Sequence, residues 1–207
     1  MVATTDFLFV VSLTIKYIIR HFILFLGKKF SFFNKFLYIC NVMKEVKIFT
    51  PEIGWDNEDN KTTAPLRIFL GGSIDNGEAL DWQQAIINEI SKEETKTPIT
   101  IYNPRRKNWN KDATNDELNT QIGWELHHLE KSKLIIMNIL GGSKSPISLL
   151  ELGLFAKENK LIVFCPPTFY RFNNVKITCE KYDVPLFETN DILVLKNEIL
   201  KIANYGV

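Results

Sequence analysis

Glu151 is the only acid between Glu130 and Glu158, and its neighbours are Leu149, Leu150, Leu152 and Leu154. A carboxylate among leucines is costly to keep charged unless partners are supplied, so its presence points to use rather than decoration. The competing reading is a solvated glutamate on the polar stripe of an amphipathic helix. The residues before it set the local structure. An apolar run from Lys133 to Leu140 is followed by Gly141-Gly142 and then by Ser145-Pro146, a good N-cap and a residue suited to the first helical position. Strand, glycine turn and helix in that order mark the carboxyl end of an α/β sheet, where ligands bind.

Other chemically capable groups fall on equivalent loops. Gly71-Gly72-Ser73 follows an apolar strand, and its missing side chains would let backbone N–H groups approach a ligand. A tight strand-to-helix turn explains the same residues. The stretch reads Gly-Gly-Ser-Ile-Asp-Asn-Gly and lacks the Gly-x-Gly-x-x-Gly fingerprint, so neither a nicotinamide nor a flavin cofactor is implied. After the next strand comes Tyr102-Asn103-Pro104-Arg105-Arg106, with Trp109 beyond it. A guanidinium there would grip an anion and an indole would stack on a base, although surface charge and a packed Trp account equally for both. The pattern does not separate Arg105 from Arg106. Gln121, Trp124 and Glu125 share neighbouring faces of a helix, and Glu125 also reads as a solvated helix glutamate.

The elements that must position these groups alternate from Leu66 onward. Strands are expected at Leu66–Leu70, Ile99–Tyr102, Leu134–Ile139, Leu161–Cys165 and Val184–Phe187, with Val46 to Phe49 a short edge strand. Helices are expected at Ala79–Ile90, Asn115–Lys131, Ile147–Lys157, Asn174–Tyr182 and Asp191–Ala203. Such alternation predicts an α/β fold, a three-layer open sheet of about five parallel strands with flavodoxin-like or Rossmann-like order. At 207 residues the chain fits one domain with an appendage: an extension over 1–42, an edge strand and linker over 43–65, and the α/β domain over 66–207. A net charge of +1 argues against a nucleic-acid surface. Cys40, Cys165 and Cys179 have no metal-ligand spacing and make no even disulfide set, which points to a reducing compartment and no structural metal. The His127-His128 pair reads as a surface feature.

Residues 1–42 hold eight of the fifteen phenylalanines and a single acid, Asp6. From Phe7 to Leu26 the chain approaches the ~20 apolar residues of a membrane span. Lys16, Arg20 and His21 interrupt it, and charges at bilayer depth are expensive. A dispensable extension on a cytoplasmic protein is the favoured reading, with a membrane anchor as the alternative.

Five motifs in order, Gly71-Gly72-Ser73-Ile74, Asp81-Trp82-Gln83, Asn103-Pro104-Arg105-Arg106, Trp124-Glu125 and Ser145 to Gly153, resemble the nucleoside 2-deoxyribosyltransferase family, in its nucleoside 2-deoxyribosyltransferase-like branch. The resemblance runs from about Leu66 to Phe187. It implies a flavodoxin-like fold, no metal or redox cofactor, and a small-molecule deoxynucleoside or deoxynucleotide as substrate. It also implies Glu151 as the nucleophile at the anomeric carbon, helped to stay ionised by hydroxyls such as Ser148. Glu125 stands where the transferases carry an acid, usually Asp, that passes a proton to the nucleobase. Ser145 stands six residues before Glu151, where the transferases carry Asp and the related 2′-deoxynucleoside 5′-phosphate N-hydrolases carry Ser. A hydroxyl and free N–H groups at a helix N-terminus favour a phosphate, with Ser73 contributing from the opposite loop. An asparagine from the segment after the fourth strand, Asn174 in preference to Asn173, is implied to reach a neighbouring subunit's site, which requires a homodimer or larger homo-oligomer. A non-catalytic nucleotide-binding module and a glycosidase acting on another nucleotide, such as NAD, are the alternatives.

Overall fold

The computed structural model describes residues 46–53, 65–107 and 113–206. The extension over 1–42, most of the linker and Trp109 lie outside the described residues.

Six strands form one parallel sheet: β1 (Val46–Phe49), β2 (Leu66–Gly72), β3 (Ile99–Tyr102), β4 (Leu134–Asn138), β5 (Leu161–Phe164) and β6 (Leu186–Phe187). Their order is β1-β3-β2-β4-β5-β6. The sheet has one strand more than the five core strands expected. Val46–Phe49 pairs with β3 in full register, Val46 against Ile99 and Phe49 against Tyr102, and closes that edge. The helices are α1 (Trp82–Ile90), α2 (Asn115–Lys131), α3 (Pro146–Phe155), α4 (Phe172–Lys181) and α5 (Ile192–Tyr205).

Period-two alternation sorts the strand side chains into two cores. Leu66, Ile68 and Leu70 of β2, Ile99 and Ile101 of β3, and Leu134 and Ile136 of β4 pack under α1 and α5. Phe69, Tyr102, Ile135, Met137 and Val163 point the other way, under α2, α3 and α4. Three layers result. Both faces of every central strand are covered, so these strands read as continuous apolar runs.

Boundaries moved where local polar groups stop or start a helix. α1 begins at Trp82 rather than Ala79, because Asp81 caps it by accepting the Gln84 N–H at 2.9 Å. Before the cap lies a 3-10 turn, Asp75–Gly77, whose Asp75 and Asn76 hold φ of 49° and 55°. α2 opens on a capping box between Thr114 and Glu117. His128 is a correction. It is buried, 1% exposed, because it lies one turn after the buried Trp124 and faces the same core. Its ring packs 4.2 Å from that of Trp124 and 4.3 Å from that of Tyr102, and its Nδ1 lies 2.8 Å from the Trp124 carbonyl. Among the described residues, no helix is long and apolar enough to cross a membrane.

Candidate active site

The chain runs from β2 to β3 on one side, then returns to place β4 on the other side of β2. That reversal makes the carboxyl ends of β2 and β4 the topological switch point, where an open α/β sheet binds its ligand. The two ends approach closely. A Cβ on Gly72 would sit 2.1 Å from the Asn138 carbonyl oxygen, and Gly72 has a φ of 132°. Only glycine fits there. The Ser73 N–H completes the approach by donating to that carbonyl at 3.0 Å. The Gly71-Gly72-Ser73 turn thus joins strands, and the Ser73 N–H expected to face a ligand is spent on the sheet.

The hydroxyl of Ser73 does face the site. Its Oγ accepts the Leu140 N–H at 2.8 Å and lies 2.6 Å from Oγ of Ser145, which in turn is hydrogen-bonded to the hydroxyl of Ser143. All three serines are buried. Ser145 occupies the N-cap position of α3, but its side chain makes no capping hydrogen bond and its φ is 44°. The expected cap is therefore replaced by a hydroxyl chain bridging the two loops. The Ser145 N–H is taken by Oδ1 of Asp75 at 3.3 Å.

From Ser145 the buried face of α3 continues through Ser148 to Glu151 at a spacing of three residues. Glu151 is 7% exposed, while Ile147, Leu150 and Leu154 on the outer face are 59%, 59% and 54% exposed. The glutamate does not lie on a solvated stripe; Leu150 and Leu154 do, while Leu152 is buried beside it. Burial pushes its carboxyl up to about 8, and the neighbouring Glu125 carboxyl adds to the rise. That direction runs against the expectation that Glu151 stays ionised at neutral pH. Ser148 is buried beside it without offsetting that rise.

Glu125 enters from α2. Burial raises its carboxyl too, opposed by a hydrogen bond from Gln121 and by the charge of Arg106. Gln121 Nε2 donates to Glu125 Oε1 at 2.8 Å and reaches the Pro104 carbonyl at 3.4 Å, which ties α2 to the loop after β3.

That loop also separates the two arginines. The Arg105 guanidinium donates to the carbonyls of Gly77, Ala79 and Leu80 at 3.0, 2.6 and 3.3 Å and lies 3.6 Å from the Asp81 carboxylate. It pins the Asp75–Gly77 turn and is not free to grip a ligand. Arg106 acts on Glu125 instead, and its buried Nε has no hydrogen-bond partner among the described residues. Asn103 is nearly buried, and its Oδ1 accepts the Arg105 N–H at 3.0 Å, so it shapes the loop.

Asn174 stands apart. It is exposed on α4 and lines a groove of about 280 Å³ with Leu149, Gly153, Tyr170 and Arg171, a groove that includes neither Ser145 nor Glu151. The structure thus brings together Ser73, Ser145, Ser148, Glu151, Glu125 and Arg106, and leaves out Arg105, Asn103 and Asn174. It adds Asp75, Ser143 and Gln121. Among the described residues, no group of three or more His, Cys, Asp or Glu could hold a metal ion.

Fold and site together define a flavodoxin-ordered α/β protein with a buried carboxyl, Glu151, and a half-buried one, Glu125, at its switch point. The family model described as nucleoside 2-deoxyribosyltransferase like matches residues 65–169, half of the chain, and the chain belongs to that family. The match includes both carboxyls and all three serines and ends before Asn174. Membership supplies a general class, nucleoside 2-deoxyribosyltransferase-like activity on small-molecule nucleosides. No curated protein matches the chain. Among solved structures, a conserved protein from Enterococcus faecalis V583 is similar at 14% identity over 67% of this chain and 88% of that one, with a TM-score of 0.39.

Proposed function

We propose that this protein cleaves or transfers at the N-glycosidic bond of 2′-deoxynucleosides or their 5′-monophosphates through a covalent glutamyl–deoxyribosyl intermediate. The observation that carries the reading is Glu151, a carboxyl turned inward beside Glu125 on a helix that leaves Leu150 and Leu154 exposed.

In the first half-reaction an oxygen of Glu151 attacks C1′. The C1′–N bond breaks, its electron pair goes to the departing base, and Glu125 protonates that base. In the second half, a base or a water attacks C1′, gives its proton to Glu125, and releases Glu151 as a carboxylate. This is the double displacement of retaining glycosidases.

The raised Glu151 carboxyl fits the chemistry. A poorly solvated carboxylate gains most when positive charge develops on the sugar carbon in front of it, so its stabilisation is greatest in the transition state. Within the pair the proton favours Glu151, since Arg106 and Gln121 both support the anion at Glu125. A bound base offering a nitrogen acceptor to Glu125 draws the proton across and leaves Glu151 ionised. The pair titrates as a unit.

In this reading a homodimer or larger homo-oligomer completes the site with Asn174 from a neighbour, the protein is cytoplasmic, and residues 1–42 are dispensable. A chain beginning at Met43 that matches the full-length rate supports the last point. The deciding experiment is product analysis with deoxynucleosides and their 5′-monophosphates, each with and without an acceptor base. Free base alone identifies a hydrolase, and a new nucleoside of retained configuration identifies a transferase. If every substrate stays intact, the reading is wrong.

A further inference from the structure

Three buried serine hydroxyls, Ser73, Ser145 and Ser143, form a chain at the N-terminal end of α3. Each hydroxyl has one proton to donate. Two protons are spent on the two links of the chain, and the Leu140 N–H already supplies Ser73 as donor. One O–H is therefore left to donate outward. Beside it stands Asp75, half-buried, with Oδ1 on the Ser145 N–H and its second oxygen without a hydrogen bond among the described residues. Asp75 is held there by the turn it begins. Asp75 and Asn76 take left-handed conformations, and the Arg105 guanidinium clamps the carbonyls of Gly77, Ala79 and Leu80 that follow.

An acceptor carboxylate beside a single outward O–H donor complements a hydroxyl, which both donates and accepts. It opposes a phosphate, which at neutral pH brings about two negative charges and only acceptors. Arg105 is engaged elsewhere, and Arg106 acts on Glu125. Lys144 is exposed. Six residues of helix put Ser145 about 9 Å of rise from Glu151, so this polar group lies toward the far side of a sugar whose C1′ faces Glu151.

We infer that Asp75 is a specificity-determining residue that selects a free 5′-hydroxyl and rejects a 5′-phosphate. The inference rests on the glycosidic-bond reading and narrows it. It also reverses the preference that Ser145 at a helix N-terminus implies by itself, because the acid that the helix lacks at that position arrives from the opposite loop.

The test measures kcat/KM for a deoxynucleoside and its 5′-monophosphate on the full chain and on Asp75→Asn. Asn tolerates the left-handed conformation and can still accept the Ser145 N–H, so the change removes charge and little else. The unmodified protein is expected to favour the nucleoside at least tenfold. Asp75→Asn is expected to shift the ratio toward the monophosphate by at least tenfold, mainly through KM for the monophosphate. Equal or better handling of the monophosphate by the unmodified protein overturns the inference, as does an unchanged ratio in the variant. Both results leave the glycosidic-bond reading standing. If neither substrate is turned over, calorimetric binding of the same pair decides. Nucleoside bound more tightly than monophosphate, with the gap closed by Asp75→Asn, supports the selection by Asp75, and no binding of either overturns it.

Discussion

Helices α3 and α5 pack on opposite faces of the same sheet and follow opposite rules. α5 is ordinary. Asp191 caps it by accepting the Leu193 N–H at 2.8 Å, and Leu195, Ile199, Ile202 and Ala203 face the sheet. Lys196 reaches outward to Glu93 at 2.6 Å. α3 carries no side-chain cap, turns Ser148 and Glu151 inward, and leaves Ile147, Leu150 and Leu154 in solvent. The buried face of α5 is apolar throughout, whereas α3 shares its buried face between Leu152 and Phe155 and the polar pair Ser148 and Glu151. A helix is arranged against its own amphipathicity when the inward polar groups are needed, and the difference between the two helices locates the chemistry.

The largest test of that contrast is Glu151→Gln. It keeps the volume and hydrogen-bonding shape and removes the nucleophile. Glycosidic cleavage is expected to fall at least ~10³-fold, as loss of a covalent nucleophile removes several kcal/mol of transition-state stabilisation. A 2-fluoro deoxyribosyl donor should label the unmodified protein in the peptide containing Glu151. Most of the rate surviving in the variant would sink the double displacement.

The same substitution should stabilise the fold at high pH. The folded carboxyl, raised from the ordinary 4.5 to about 8, binds its proton more tightly than the unfolded one. Its contribution favours the fold fully below pH 4.5 and is lost as pH climbs through about 8. Above that the folded protein must hold a buried charge, at a ceiling of about 5 kcal/mol from about 1.4 kcal/mol per pH unit. Denaturant unfolding at pH 9 and pH 5 should show Glu151→Gln gaining a few kcal/mol at pH 9 and almost nothing at pH 5. Equal effects at both pH values would remove Glu151 from the buried titrating pair.

Truncation sharpens the comparison from the other side. Ile199 on α5 is fully buried, so Ile199→Ala should cost about 2–5 kcal/mol. Leu150 on α3 is 59% exposed, and Leu150→Ala should stay within about 0.5 kcal/mol in the monomer. Similar losses at the two positions would mean that Leu150 is buried as Ile199 is. A large cost at Leu150 that depends on protein concentration would instead show a second copy covering that face.

The fold was legible because strands, glycine turns and helices each left their own period. The edge strand β1 was visible in four alternating residues, and its partner, β3, was not. The direction of Glu151 was not legible from spacing, since four leucines around one acid suggest the acid faces out; only the order of the motifs suggested otherwise. Arg105 and Arg106 are neighbours in sequence, and the choice between them depends on the path of a loop that hands three carbonyls to one guanidinium. Asp75 and Ser143 were missed for the same reason. A signal did exist in Asp75-Asn76-Gly77, three residue types that tolerate left-handed backbone and so mark a turn able to aim a carboxylate across the switch point.

The smallest expected effect tests whether the two carboxyls work as a pair. Glu151 is raised first by burial and second by the charge of Glu125. Glu125→Gln removes the second cause and keeps the first, because the amide fills the same space. A neighbouring negative charge raises a carboxyl, so removing it must lower Glu151, while burial keeps it above 4.5. For substrates whose base departs without protonation, kcat/KM should rise with pH as Glu151 ionises, and in Glu125→Gln that acid limb should move to lower pH without reaching the ordinary carboxylate range. The variant also loses the proton donor for the leaving base, so its plateau should drop, and it should drop least for substrates whose base departs without protonation. A limb that stays in place, or moves up, would mean that Glu125 does not act on Glu151 and that α2 and α3 do not share one site.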